Sequence, residues 1–144
     1  MTNPENIVRL RVLLGFLKAG RVLDHGSSVL LLGALVAGGR GPGGLVAAAS
    51  AGAVLLGLLE KYLAWRVALD VEFFAVLLEQ PGQETAFDAA LAEFLGRPAV
   101  AATRPMASRW QGARRLVQLQ AAALAAQVLA VAIGAAGLAM GAQQ

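Results

Sequence analysis

Uncharged residues run from Gly26 to Gly39, from Gly44 to Leu59 and from Leu116 to Gln144, and the charges gather between these stretches. The first stretch is preceded by an amphipathic segment. Ile7, Leu10, Leu14 and Leu17 recur at helical spacing, with Arg9, Arg11 and Lys18 on other faces, which predicts a cytosolic helix over 1–21 that Asn3-Pro4 opens. The fourteen uncharged residues from Gly26 fall short of the ~20 that a membrane span needs. A first span is therefore expected over 22–39, with Asp24 and His25 near its inner end. In Asp24-His25-Gly26-Ser27-Ser28 the helix either continues or breaks, since Ser27 is a competent cap.

Arg40-Gly41-Pro42-Gly43-Gly44 is a turn signal, and its brevity makes the first two spans an antiparallel hairpin. From Gly44 to Glu79 there is no proline. This predicts one helix, a second span over 44–65 that continues as a cytosolic helix to 79, with Tyr62 and Trp65 marking the interface. Gln80-Pro81-Gly82 stops it. Thr85-Ala86-Phe87-Asp88 reads as a capping box for a short cytosolic helix over 85–95, with Phe87, Leu91 and Phe94 on one face and Gly96 and Pro98 closing it. Ser108-Arg109-Trp110-Gln111 reads as another, opening a helix over 109–141 that contains the third span.

The fold expected is all-α: one polytopic membrane domain over 1–144, with three transmembrane helices extended into a cytosolic helical collar. In that collar Leu10, Leu14, Phe16, Phe73, Phe74, Leu77, Phe87 and Phe94 are expected to pack on one another. Composition agrees with lipid. Apolar residues make up 58% of the chain and charged residues 15%, against about 25% charged in ordinary soluble domains. Cysteine is absent, which excludes disulfide frameworks and thiolate metal sites. No cleavable leader is evident, because Arg9 and Arg11 interrupt the apolar run from Ile7 to Leu17, so the N-terminus is expected to stay on the mature protein.

Eleven of the twelve cationic residues fall on one side of this layout and Arg40 alone on the other. The charge bias places the chain in the inner, cytoplasmic membrane as a multi-pass protein, N-terminus in the cytoplasm and C-terminus outside. The acidic residues share the basic side, and this interleaving argues against nucleic acid as a partner.

The candidate chemistry is a polar layer. Counted from the outer turn at 1.5 Å per residue, Asp24/His25 and Glu60/Lys61 lie roughly 22–24 Å down their helices, and Gln127 reaches a similar depth on the last one. Asp24, His25, Glu60, Lys61 and Gln127 are thus candidates for an ion or proton pathway; the plainer reading pairs Asp24 with Lys61 at the inner boundary. His25 has no companion ligands, so neither a metal nor a cofactor is expected. Arg109, Trp110, Arg114 and Arg115 are expected to contact lipid headgroups. Gly44, Ala48 and Gly52, and Gly134, Gly137 and Gly141, read as small-residue surfaces for helix packing, within one chain or between chains. The carboxylates beyond Trp65 have no spacing that makes them converge, so no enzyme is expected. The functional expectation is a small non-enzymatic scaffold or accessory subunit, homo-oligomeric or part of a larger membrane complex. An ion- or proton-conducting pore is the alternative, with a lipid-active enzyme far behind.

Overall fold

A computed structural model of the chain describes residues 4–39, 44–79, 82–94, 96 and 106–143, the side chains at 4–6, 84, 87, 106–107 and 109 excepted. Among the described residues the chain is all-α, with four helices: α1 (Pro4–Gly38), α2 (Gly44–Glu79), α3 (Glu84–Phe94) and α4 (Met106–Gly141). At 1.5 Å per residue the three long helices reach about 52–54 Å, well beyond a bilayer core of ~30 Å. The turn around Arg40 and the loop over 97–105 lie outside the described residues.

α1 runs unbroken through Asp24–Ser28. The hydroxyl of Ser28 donates to the Asp24 carbonyl at 2.9 Å, the backbonding that lets serine stay inside a helix. α2 ends at Glu79, with Gly82 beyond it in the left-handed conformation (φ 91°), and α3 ends at Phe94, two residues before Gly96 (φ 61°), whose N–H donates to the Glu93 carbonyl. The two capping boxes do not mark starts. Thr85 stands inside α3, which begins at Glu84, and Ser108 stands inside α4, which begins at Met106. In each case the helix extends one or two residues further than side-chain capping alone requires.

Register fixes the topology. Gly38 meets Ser50 and Gly20 meets Val67, so α1 and α2 are antiparallel. Gly57 meets Gln127 and Gly137 meets Val46, so α2 and α4 are antiparallel too. Gln120 bonds Gly20 and Gln127 bonds Ser27, each a separation of 100 residues. α1 and α4 are therefore parallel at a constant offset. Buried positions recur every seven residues: Leu13, Gly20, Ser27, Ala34; Val46, Ala53, Glu60, Val67, Phe74; Ala113, Gln120, Gln127, Gly134. A sustained seven-residue repeat belongs to a left-handed three-helix bundle.

The bundle has two unlike ends. At the base, where α1 and α4 begin, Leu10, Leu13, Leu14, Leu17, Val67, Val71, Phe74, Leu77, Ala113 and Val117 form a core of large side chains. Toward the top, where α1 gives way to α2, the interior is small or polar, and large apolar residues face outward: Val29, Leu32, Leu35, Leu55, Leu58, Leu129 and Ile133 are all exposed. Two helices, α2 and the 110–141 part of α4, are long and apolar enough to cross a membrane. α1 is not a third by that measure.

The expected collar forms in part. Leu10, Leu14, Phe74 and Leu77 join the base core, but Phe16 is half-exposed and Phe94 is 86% exposed. Among the described residues α3 packs on none of the long helices as they pack on one another, and none of its described side chains joins the base core. Phe87 has no described side chain.

Candidate functional site

Where the large base core ends, the three helices bring their polar residues together. Ser27, Glu60, Gln120 and Gln127 are all fully buried. Each sits on the inward heptad position of its helix, so burial follows from the same repeat that buries leucine lower down.

Lys61 reaches across from α2 to α1. Its Nζ donates to the Asp24 carbonyl at 2.7 Å, to Asp24 Oδ1 at 2.6 Å and to Ser28 Oγ at 2.7 Å. An ammonium has three protons, and all three are used. Glu60 Oε2 lies 3.3 Å from the same nitrogen, close enough for attraction between charges but left without a hydrogen bond. The Asp24–Lys61 pair is about one-third exposed, whereas the Glu60 side chain has no exposure at all.

Two glutamines on α4 close the layer. Gln120 Nε2 donates to Glu60 Oε1 at 2.8 Å and to the Gly20 carbonyl at 3.0 Å. Both amide protons are thereby committed, which fixes the orientation of the amide, and its Oε1 finds no donor. One turn pair higher, Ser27 Oγ donates to Gln127 Oε1 at 2.8 Å, while Gln127 Nε2 donates to the Ser27 carbonyl at 3.2 Å. Glycines make room for both amides. A Cβ on Gly57 would stand 2.7 Å from Gln127 Nε2 and Leu31 Cδ1, and one on Gly20 would stand 3.0 Å from Gln120 Oε1.

Of the polar layer read from sequence, Asp24, Glu60 and Lys61 are joined directly and Gln127 lies just above them. His25 does not join: it is exposed, and its Nδ1 lies 2.6 Å from the Arg21 carbonyl on its own helix. Gln120, Ser27 and Ser28 complete the network; sequence placed none of them in the layer and read Ser27 only as a competent cap. Gln120 stands only five residues past Arg115 and reads there as an ordinary boundary residue; its seven-residue spacing from Gln127 was the available signal.

The small-residue surfaces also sort themselves. Gly134 and Gly137 approach α2, with Ala49 Cβ and Val46 Cγ2 at 3.5 and 3.1 Å from a Cβ placed there. At Gly44, Gly52 and Gly141 a Cβ would meet nothing within 4 Å, and Ala48 is exposed. Among the described residues no side chain of another helix stands against these glycines, and Gly57, Gly20 and Gly38 make the close approaches instead. Arg114 and Arg115 are exposed, Trp110 lies half-buried against the base core, and the Arg109 side chain is not described.

Below the network, Asp70 is half-buried on α2. Burial raises its carboxyl above the ordinary 3.8, and Arg66 one turn away partly offsets that rise.

No protein-family model, curated protein or solved structure matches this chain.

Proposed function

We propose that the chain is a small integral membrane protein that crosses the inner membrane three times and serves as a non-enzymatic, oligomeric scaffold or accessory subunit. Two apolar helices support the membrane itself. The parallel, constant offset of α1 and α4 supports α1 as the third span: residues 26–38 of α1 lie level with 126–138 of α4. A stretch too short to span alone is carried across by its neighbours, because its polar end at Asp24 is matched by Lys61. The charge bias then sets the N-terminus and the base in the cytoplasm and the C-terminus outside.

The observation that carries the scaffold reading is the uncovered face of α2. Gly44, Ala48 and Gly52 form a ladder that no helix of the same chain uses, and such ladders let backbones approach closely in lipid, where packing drives association. Native mass spectrometry of the protein extracted gently from its own membranes tests this. An oligomer or a complex with another membrane protein is expected, and Gly52→Leu is expected to dissolve it while leaving the monomer folded. A monomer in native membranes under crosslinking would sink the reading.

The conducting alternative draws on Glu60 Oε2 and Gln120 Oε1, two buried acceptors without a donor. Against it, the interior above Gln127 is apolar apart from Ser50: Ala34, Ala53, Val46 and Gly134 lie there, so the polar network stops partway up the bundle. Proton or cation flux into liposomes that disappears with Glu60→Gln while assembly persists would favour conduction over the scaffold.

A further inference from the structure

The outer side of the α1–α2 seam holds a groove of about 510 Å³ that borders the polar layer at Asp24 and Lys61. Its floor is small, with Gly20 on α1 and Ala64 and Ala68 on α2, which is why the two helices leave space there. Its rim is cationic: Lys18 and Arg21 from α1 and Lys61 from α2, with His25 beside them and the exposed indole of Trp65 at one edge. Asp24 is the one acid in the lining, and Lys61 already holds it at 2.6 Å. Lys18 and Arg21 lie three residues apart on one helix face, and neither has an acidic partner among the described residues. Two cations without an acidic partner suit a phosphate monoanion.

What lies above the groove identifies the source of that phosphate. One heptad toward the top from His25 is Leu32, from Ser28 is Leu35, and from Trp65 is Leu58; all three leucines are exposed. A polar, cationic recess thus leads straight into an apolar strip between the same two helices, at the level marked by Tyr62 and Trp65. A free phosphate uses the recess alone. A phospholipid uses both parts, its headgroup in the recess and its acyl chains along the leucines.

We infer that the α1–α2 groove is a binding site for an anionic phospholipid, with Lys18 and Arg21 holding the phosphate and Trp65 lying at the glycerol level. The inference rests on the membrane reading above. The test uses the full chain carrying Trp110→Phe, so that Trp65 is the only indole, reconstituted in phosphatidylcholine vesicles with increasing brominated phosphatidylglycerol or, in parallel, brominated phosphatidylcholine. Half-quenching of Trp65 is expected at a mole fraction about tenfold lower for the glycerol lipid, each interfacial cation contributing strongly at this depth. Lys18→Ala/Arg21→Ala should erase the difference, whereas Arg9→Ala/Arg11→Ala, which removes the same charge lower on α1, should keep it. Equal quenching by both lipids, or equal loss in the two double variants, overturns the site in favour of diffuse attraction. Displacement of the glycerol lipid by millimolar inorganic phosphate overturns the lipid as occupant. Absence of quenching by either lipid means that Trp65 is not at a membrane at all, and the membrane reading itself falls.

Discussion

Single residues in this bundle are read by what a side chain would meet. Gly57 and Gly52 lie five apart on α2 and differ in consequence. Gly57→Ala drives a methyl group to 2.7 Å from Gln127 and Leu31, an overpacking expected to cost about 1–3 kcal/mol. Gly52→Ala meets open space and is expected to leave the folded monomer unchanged. Thermal unfolding in detergent, followed by circular dichroism, checks both; equal midpoints for the two variants would contradict the packing described. Asp70 makes the pH prediction. Its carboxyl is raised in the folded chain by burial, so the folded state takes up its proton first as pH falls. The strain of burying the charge is present at neutral pH and is relieved as pH drops through the raised value toward 3.8. Stability from this group therefore increases on mild acidification, and Asp70→Asn should raise the neutral-pH midpoint and flatten that rise. A variant that retains the full acid-dependent gain would assign the effect elsewhere.

The helices show what sequence can and cannot announce. The extent of α2 was legible because the glycine-proline turn and Pro81 bound a run with no internal breaker, whereas the continuity of α1 through Asp24–Ser28 and the start of α4 at Met106 were not. Part of the polar layer was legible because a charge inside an apolar run has few places to go: Asp24, Glu60 and Lys61 meet as their depths imply. The inward face of α2 was not. Gly44–Ala48–Gly52 and Val46–Ser50–Ala53–Gly57 interleave on one helix, both small and both at helical spacing, and a helix apolar all round gives no amphipathic signal. In lipid it is the polar residue that marks the inside. Stepping by sevens from Glu60 to Ala53, Val46, Val67 and Phe74 recovers the buried face, and by the same rule Gln120 belongs with Gln127. The exposed Phe94 was misplaced for the opposite reason: in α3, spacing defines an apolar face but not whether anything covers it.

As a whole the molecule is polarised along its axis, with a leucine-rich core at the base and a small, partly polar interior clothed in apolar side chains above. The three helices put the two termini at opposite ends. The absence of cysteine makes this simple to test: single cysteines introduced as Thr2→Cys and Gln143→Cys can be challenged with a membrane-impermeant maleimide on intact spheroplasts. Gln143→Cys is expected to react at once and Thr2→Cys only after permeabilisation. Reaction of both from outside would require an even number of crossings and remove α1 from the membrane.

The bonds that tie Gln120 to Glu60 and Gly20, and Gln127 to Ser27, span 60 and 100 residues. Translation proceeds at about 5–20 residues per second. The α1–α2 hairpin therefore waits for several seconds with the Glu60 carboxyl and the Ser27 hydroxyl facing the space that α4 will fill. During that interval the Glu60 carboxyl has only the Lys61 ammonium at 3.3 Å beside it, and the Ser27 hydroxyl lacks its acceptor on Gln127. A ribosome stalled before α4 would therefore leave a hairpin whose inner side still lacks both glutamine amides.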